Sequence, residues 1–419
     1  MKITIAALGT RGDVQPMIAL GKGLQAAGHE ITLIAGSNFE AWVRSYGFDF
    51  LPSLDMEALM KSPEGIAWVE EPNAFRQLGH MKALLKPHGA EMIAPIIEQA
   101  RNAELLISGF VSEPFVQSAS EKFGIPQIKT SLQPYRPTVS SWASMSAVVK
   151  GNSNLNRWFG KLGERLIWDV AADPVNNMRA TLGLPPHNTA SYSRAVSQLP
   201  TLYGFSRYVV PPAVDWTERD QIAGYWFLDE QQNWQPPEAL ARFLESGSPP
   251  IYVGFGSMSS SSPQQTIELV TTALKQAGQR GIIAAGWSGA QVQSGSDHVY
   301  IIDKAPHDWL FERVAGIVHH GGSGTTGAAL RSGKPSLIIP HMSDQPYWAK
   351  RVYELGVGAK PIPRARLTAD NLAAGIKTLL IDGDMQRTAA ELSTKIRAEN
   401  GVENAVRIIT GWIEKPPTY

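Results

Sequence analysis

The sequence contains no cysteine, so it has no disulfide framework, no thiolate metal site and no cysteine nucleophile. Its 38 Lys and Arg residues are balanced by 38 Asp and Glu residues, and it contains no basic runs. A neutral chain of this kind lacks the electrostatic footprint of a nucleic-acid-binding protein. No stretch approaches the roughly 18 apolar residues of a membrane span, and the first residues are too short an apolar run for a signal peptide. We therefore expect a cytoplasmic protein.

The chain is also poor in charge for its length. Only 18% of its 419 residues are charged, below the roughly 25% typical of soluble domains. Twelve residues are tryptophan, which indicates a use for flat apolar surface. The length alone predicts two or three domains, each large enough to have its own core.

Short apolar runs of strand type alternate with helical patterns in both halves of the chain. Strands are predicted at 2–8, 30–35, 104–108, 126–130, 251–255, 281–285, 298–302, 316–319 and 335–339. This alternation predicts an α/β protein with two doubly wound, Rossmann-like domains. Such sheets bind ligands at the carboxyl ends of their strands, so we expect the two domains to face each other across a ligand-binding cleft.

The boundary between the two domains is predicted from proline. Pro236-Pro237 and Pro249-Pro250 lie in a segment, 216–250, that we interpret as a linker and the entry to the second domain. The resulting division is 1–215, the linker, 251–401, and a C-terminal helix in 402–419.

The segment 316–327 is the richest in chemistry, because a buried strand runs into a glycine turn that opens a helix. This geometry directs backbone N–H groups and the positive helix end at an anion. Ser323 and Thr325 add hydroxyl donors, and His320 can donate to a second oxygen. The segment therefore predicts a diphosphate site, and an ordinary tight turn between strand and helix is the competing interpretation.

Three classes of enzyme could use this loop. Residues 322–327 match the dinucleotide fingerprint GxGxxG, and Asp344 lies close to the spacing of a ribose-binding acid, so an NAD(P)-dependent oxidoreductase is one alternative. A hydrolase is favoured only by 286–290, which resembles a nucleophile elbow but precedes the oxyanion-type loop that should come before it. The third class binds a nucleotide-sugar, since Asp344 and Gln345 together can hydrogen-bond adjacent sugar hydroxyls. Asp344 is also a candidate helix N-cap.

The ordered set of motifs is more specific than any one of them. Segments 305–311, 319–325, 333–335 and 344–346 resemble the donor-site signature of UDP-sugar glycosyltransferases of GT-B architecture. Segments 10–16 and 255–258 are most similar to the sterol glucosyltransferase branch of that family. The resemblance runs from the first strand to about Gly358. It implies an enzyme with an acceptor-binding domain in 1–215, a nucleotide-sugar-binding domain in 251–401, and a last helix that packs back on the first domain.

The resemblance also implies which residues bind the donor. The diphosphate would be held by His320 and the amides of Gly322, Gly324 and Thr325. Asp344 and Gln345 would bind the sugar, and the backbone near Ala305 would bind the uracil. The full donor set is Ser257, Trp287, Ala305, His307, His320, Gly322, Ser323, Gly324, Thr325, Asp344 and Gln345. Two positions depart from the plant-type signature: Lys304 replaces the aromatic that stacks on the base, and Ala328 replaces the ribose-binding glutamate. Trp287 is the candidate to take over base stacking.

Asp13 matches the position at which many relatives have a catalytic histidine, and we expect it to act as the general base. It is equally suited to be a helix N-cap, with Pro16 in the first turn. A helix N-terminus lowers the pKa of a carboxylate, whereas burial beside an apolar acceptor opposes that effect. The reaction implied is an inverting transfer without a metal, because the loop and the helix end already neutralise the diphosphate.

The acceptor is expected in the first domain, against the aromatic side chains Trp68, Phe110, Tyr135 and Trp142. Aromatic pockets are suited to a lipophilic aglycone such as a sterol, terpenoid or polyphenol. The stretch 142–168 could also form an amphipathic helix, so membrane contact is expected to be peripheral at most. We expect a monomer that uses a UDP-sugar, most simply UDP-glucose, as co-substrate and needs no cofactor. An epimerase of the same fold is a further alternative.

Overall fold

The structure is a computed structural model that describes residues 1–71, 73–231, 234–255, 263–285 and 298–417, apart from the side chains of Ala74 and Phe75. It divides into two compact units. The first comprises Met1–Leu228 together with Glu399–Tyr419, and the second comprises Asp229–Ala398. The second unit is thus an insertion in the sequence of the first.

The first unit is built on a parallel sheet of seven strands. These are β1 (Lys2–Ala6), β2 (Glu30–Gly36), β3 (Asp49–Ser53), β4 (Leu105–Ser108), β5 (Gln127–Ser131), β6 (Thr201–Tyr203) and β7 (Asp220–Ile222), in the order β3-β2-β1-β4-β5-β6-β7. The strand order reverses between β1 and β4, so the residues that follow these two strands lie at the point where doubly wound sheets bind ligands.

Helices connect and cover the strands of the first unit. Those that precede the second unit are α1 (Arg11–Ala26), α2 (Glu40–Arg44), α3 (Met56–Met60), α4 (Pro63–Glu70), α5 (Ala74–Leu85), α6 (Gly89–Ala100), α7 (Glu113–Phe123), α8 (Asn154–Thr181) and α9 (Thr189–Ser197). The longest of them, α8, has 28 residues. Among the described residues no helix is both long and apolar enough to cross a membrane.

The structure departs from the linker interpretation of 216–250. The ring of Trp216 stacks on that of Tyr203 in β6, with centroids 4.4 Å apart, and Trp226 and Leu228 belong to the core of the first unit. Burial of these large side chains holds the segment up to Leu228 against the first sheet. The rest of the proline-rich segment belongs to the second unit, where it forms α10 (Glu238–Glu245).

The second unit has a parallel sheet of five strands. These are β8 (Ile251–Gly254), β9 (Gly281–Ala284), β10 (Val299–Ile302), β11 (Gly316–His319) and β12 (Ser336–Ile338), in the order β10-β9-β8-β11-β12. The helices after α10 are α11 (Pro263–Ala277), α12 (His307–Leu310), α13 (Ser323–Ser332), α14 (Gln345–Glu354), α15 (Ala369–Ile381) and α16 (Gly383–Arg397). The strand order reverses between β8 and β11, which places the glycine turn after β11 at the ligand-binding edge.

The last helix, α17 (Gly401–Glu414), returns to the first unit. Ala405 and Ile409 are fully buried in the core that also contains residues of α1. The two helices pack so closely that a Cβ at Gly23 of α1 would lie 2.5 Å from Cγ1 of Val402. This contact covers the apolar face of α17 within the same chain.

Candidate active site

The glycine turn between β11 and α13 is shaped to expose backbone amides. Gly321 has a φ of +95°, and a Cβ there would lie 2.7 Å from Cγ2 of Ile338, so only glycine fits. Gly322 is the N-cap of α13 and has no side chain with which to accept from the first turn. The amides of Gly324 and Thr325 lie in that first turn, where helical geometry gives them no acceptor within the helix. An anion at this helix end would satisfy them.

Two histidines at the end of β11 support the turn. Nδ1 of His319 accepts from the backbone N–H of Gly321 at 3.1 Å, so in this arrangement its proton is on Nε2. Burial lowers the pKa of His320 to about 4, which keeps that imidazole neutral near pH 7. A Cβ at Gly322 would lie 2.6 Å from Nε2 of His320, so the ring lies against the glycine at the helix start. A neutral imidazole in this place has one N–H to donate to an anion.

Asp344 and Gln345 begin α14 beside the glycine turn. A Cβ at Gly321 would lie 3.2 Å from the backbone oxygen of Gln345, which shows how closely the two loops approach. Oδ2 of Asp344 accepts from the indole N–H of Trp348 at 2.8 Å. Asp344 is at the N-cap, but its side chain does not cap the helix. Oε1 of the buried Gln345 accepts the amides of residues 341 and 342, at 2.8 and 3.1 Å. Both residues therefore shape the loop itself.

His341 is a residue of this cluster that sequence reasoning missed. Burial, together with the nearby His320 and Arg364, lowers its pKa to about 3. Nε2 of His341 is buried without a hydrogen-bond partner among the described residues, and its ring packs at 5.5 Å from that of Phe255. Its sequence context, three residues after β12, gave no periodic or motif signal for such a role.

The segment predicted to hold the base of the nucleotide follows β10. Ala305 precedes α12, and the ring of His307 stacks on that of Phe311, with centroids 4.3 Å apart. A positive charge on His307 would lower the pKa of His319, so this segment lies near the glycine turn. Ser257 and Trp287, predicted to lie near the diphosphate and the base, are outside the described residues.

Asp13 lies in the first turn of α1, just beyond the end of β1. The N-cap prediction for it is wrong: Thr10 is the N-cap, Asp13 is the third helical residue, and Pro16 lies inside the helix. Oδ2 of Asp13 accepts from the N–H and the hydroxyl of Thr10, so the carboxylate closes a capping box. Burial raises the pKa of Asp13, and the hydrogen bonds from Thr10 oppose this less strongly. A Thr-x-x-Asp pattern was the available signal for Thr10.

A small cavity beside Asp13 is enclosed by the residues that follow β1, β4 and β5, and by Met17 of α1. Leu8, Phe110 and Leu132 give it apolar walls. The ring of Tyr135 meets that of Phe110 edge-on, with centroids 4.8 Å apart. Of the four predicted acceptor residues, the structure thus brings Phe110 and Tyr135 to this place.

The other two predicted acceptor residues lie elsewhere in the first unit. Trp68 is half-buried on α4, and its backbone oxygen accepts from Gln77 at 3.4 Å. The indole N–H of Trp142 donates to the backbone oxygen of Pro212 at 3.4 Å. Neither lines the cavity beside Asp13, as far as the described residues show.

The predicted amphipathic stretch 142–168 is only partly helical, since α8 begins at Asn154. Its N-terminal turns expose Leu155, Trp158 and Leu162 by 54%, 58% and 38%, at the spacing of one helical face. Trp168, by contrast, is 3% exposed and stacks on Tyr192. The exposed apolar surface of this stretch therefore lies at the beginning of α8 and at Val148 and Val149 just before it.

Comparison with known proteins agrees with this geometry. Residues 3–128 match the glycosyltransferase family 28 N-terminal domain, and residues 279–409 match the C-terminal domain of the erythromycin biosynthesis protein CIII-like family. The chain is 33% identical to the O-mycaminosyltylonolide 6-deoxyallosyltransferase of Streptomyces fradiae over 428 residues, which cover 100% of this chain and 99% of the relative. The chain belongs to the glycosyltransferases.

This glycosyltransferase is also similar to a sterol 3-beta-glucosyltransferase of Arabidopsis thaliana, with 33% identity over 97% of the chain and 67% of the relative. It spans only 27% to 34% of the length of the fungal sterol glucosyltransferases that it matches. The crystal structure of glycosyltransferase VinC in complex with dTDP superposes with a TM-score of 0.65, at 19% identity and over 98% and 99% of the two chains. The two Rossmann-like units therefore have the GT-B architecture. Membership of the glycosyltransferases replaces the oxidoreductase, hydrolase and epimerase alternatives.

Proposed function

We propose that this glycosyltransferase transfers glucose from UDP-glucose to a hydroxyl of a lipophilic aglycone such as a sterol, terpenoid or polyphenol. The transfer is inverting and needs no metal. The observation that carries the proposal is the glycine turn of the second unit, where first-turn amides and a neutral His320 converge on one helix end. That arrangement fits a diphosphate leaving group.

The diphosphate is expected to lie against the amides of Gly322, Gly324 and Thr325, with the N–H of His320 on a further oxygen. Ser323 and Ser257 supply hydroxyl donors. As charge develops on the leaving diphosphate, these fixed dipoles stabilise it without having to reorganise. Asp344 and Gln345 start the neighbouring helix and are proposed to bind the sugar hydroxyls. The base of the nucleotide is proposed to bind to Ala305, His307 and Trp287.

Asp13 is proposed to remove the proton from the acceptor hydroxyl. The acceptor oxygen forms a bond to the anomeric carbon as the bond from that carbon to the diphosphate oxygen breaks. The electron pair leaves with the diphosphate, and the proton ends on Asp13. The burial that raises the pKa of Asp13 supports this role, because it makes the carboxylate a stronger base. Attack opposite the leaving group inverts the anomeric carbon.

The aglycone is proposed to be lipophilic because the cavity beside Asp13 has apolar walls. Leu8, Phe110 and Leu132 line it, and an apolar ring system would bury their surface. Two relatives support this class by name, one a sterol glucosyltransferase and the other an enzyme named for a mycaminosyl-tylonolide acceptor. A peripheral membrane contact through the exposed beginning of α8 would bring such an aglycone within reach.

The test is a matrix of donors and acceptors with the purified full chain. UDP-glucose and dTDP-glucose are each incubated with cholesterol, a triterpenoid and a flavonol, with and without EDTA, and products are detected by mass spectrometry. We expect a mass gain of one hexose with UDP-glucose, unaffected by EDTA, and a β-anomeric coupling in the product by NMR. Preference for dTDP-glucose, loss of product in EDTA, or an α-product would contradict the corresponding part of the proposal.

A further inference from the structure

The first unit contains a second, larger cavity of about 140 Å³ on the other face of its sheet. Thr130 of β5 points to α1, where its hydroxyl contacts the sulfur of Met17 at 3.7 Å. Lys129 and Ser131 point to the opposite side, because side chains alternate along a strand. They line the second cavity together with residues of β6, α8 and α9. Tyr135 lines this cavity and contacts Phe110, which lines the cavity beside Asp13.

Two tyrosines that line the second cavity have phenol hydroxyls without a hydrogen-bond partner among the described residues. Tyr203 is 1% exposed and its ring is held against Trp216, but its hydroxyl is unpaired. The hydroxyl of Tyr135 is likewise buried and unpaired. A buried hydroxyl without a partner destabilises a fold, and buried polar groups are nearly always satisfied. The described part of the protein therefore supplies no hydrogen-bond partner for either hydroxyl.

The charges around the cavity are mostly paired with one another. Lys129 donates to Glu113 at 2.8 Å, and Arg136 donates to Asp220 at 2.6 Å. Glu164 accepts from the hydroxyl of Ser193 at 2.9 Å with one oxygen. The carboxylate oxygen Oε1 of Glu164 has no partner within the part of the chain that the structure describes.

The remaining charge is at the surface. Lys161, one turn from Glu164 on α8, is exposed at the edge of the cavity and makes no ion pair with any described residue. The three cations of this region therefore balance its three carboxylates. The cations are Lys129, Arg136 and Lys161, and the carboxylates are Glu113, Asp220 and Glu164. The cavity offers unused hydrogen-bonding groups of both kinds without a net charge.

We propose that this cavity is a binding site for a neutral, hydroxyl-rich molecule of monosaccharide size. Hydroxyl groups both donate and accept, so they can satisfy Tyr135, Tyr203 and Oε1 of Glu164 at once. The half-buried ring of Tyr135 gives the site a flat apolar wall, which suits the carbon–hydrogen face of a sugar ring. A charged ligand would unbalance the paired charges. The site is built from the first unit alone, shares no residue with the glycine turn, and does not rest on the proposed function.

The experiment is saturation-transfer NMR and calorimetry on the full chain with saturating UDP, which blocks the donor site. The neutral probes are methyl β-D-glucopyranoside and myo-inositol, and glucose 6-phosphate and glucosamine are the charged comparisons. We expect the neutral probes to bind, and Tyr203→Phe and Glu164→Gln each to weaken binding by about tenfold, the scale of one hydrogen bond. Tyr353→Phe, at an exposed tyrosine of the second unit, is the matched control and should leave binding unchanged.

Failure takes three forms. If neither neutral probe binds at 50 mM, a concentration on the order of the weakest affinity of interest, then water alone fills the cavity. Equal affinity in Tyr203→Phe, Glu164→Gln and the control would place the probe elsewhere, and tighter binding of a charged probe would refute the neutral class. Each variant is checked by thermal unfolding, and Glu164→Gln keeps the test valid if Tyr203→Phe is destabilised. Sugar transfer is assayed separately. If the protein binds the neutral probes but transfers no sugar, only the proposed function is contradicted.

Discussion

Oδ2 of Asp13 accepts a hydrogen bond from the backbone N–H of Thr10 at 2.9 Å and another from its hydroxyl at 3.3 Å. The proposed catalytic base is thus also the residue that closes the start of α1. A substitution that removes the carboxylate entirely would change the helix start and the chemistry together. The two roles are separable only by a side chain that keeps an acceptor oxygen but cannot take a proton.

Asp13→Asn is that substitution. The amide oxygen of asparagine still accepts from Thr10, so we expect the melting temperature to stay close to that of the unsubstituted protein. Turnover should fall at least roughly a hundredfold, the scale of losing a general base, while UDP binding barely changes. UDP release and thermal unfolding measure the two effects. Near-normal turnover in Asp13→Asn or Asp13→Ala would remove Asp13 from the role of base.

His320→Ala tests the anion site directly. Removing the imidazole takes away one donor to the diphosphate, so we expect UDP affinity to fall about tenfold by calorimetry. Binding of a nucleoside without phosphates should not change. Unchanged UDP affinity would count against a diphosphate at the glycine turn.

Gly322→Ala tests the same site from the backbone. A methyl group at this N-cap would meet the ring of His320, whereas a methyl at Gly383, the first residue of α16, meets nothing within 4 Å. We expect Gly322→Ala to weaken UDP binding at least about fivefold by displacing the imidazole, with Gly383→Ala as the unaffected control. If both variants bind UDP equally well, the close approach of His320 to the helix start has no role in donor binding.

The buried histidines predict how stability depends on pH. The folded-state pKa is lowered to about 4 for His320 and about 3 for His341, from an ordinary value of 6.5. Between these values the unfolded chain binds protons that the folded chain does not, so the free energy of unfolding should decrease as pH falls from 6.5 towards 4. Denaturant unfolding at several pH values measures the slope. His320→Gln should make it shallower, and an unchanged slope would show that His320 titrates normally.

The exposed beginning of α8 predicts binding to anionic vesicles. Leu155 and Trp158 are more than half exposed, and Lys150 and Lys161 flank them. We expect the protein to float with phosphatidylserine vesicles, and Trp158→Asp to abolish this. Ile381→Asp, at an 82% exposed residue of the second unit, is the control. Absence of flotation for the unsubstituted protein would dismiss membrane contact.

The sequence predicted nine of the strands that the structure describes, among them the four that carry the sites. β1, β4, β8 and β11 are short runs rich in apolar residues, and they and the other predicted strands agree with the structure to within two residues at either end. β3, β6 and β7 were missed because they are short or mixed in composition, with three residues in β6 and in β7; β3 lies at one edge of the sheet and β6 and β7 lie towards the other. The register of β6 also depends on its pairing with β5, which is distant in sequence.

The candidate sites were predicted from motifs, and their supporting contacts were not. The glycine turn and Asp344 follow from local spacing. The approach of Gly321 to Ile338 and the hydrogen bond from Thr10 to Asp13 depend on φ angles and side-chain positions that only the folded chain provides. The same limit applies to Tyr203, whose unpaired hydroxyl has no signature in the sequence.

The return of α17 to the first unit has a consequence for synthesis on the ribosome. Residues 229–398 emerge as an uninterrupted stretch and contain every strand of the second sheet, so that unit can complete its core first. The first unit begins earlier but waits for Ala405 and Ile409, which emerge only after the whole of the second unit. A chain cut short before α17 would therefore fail in the half that was made first.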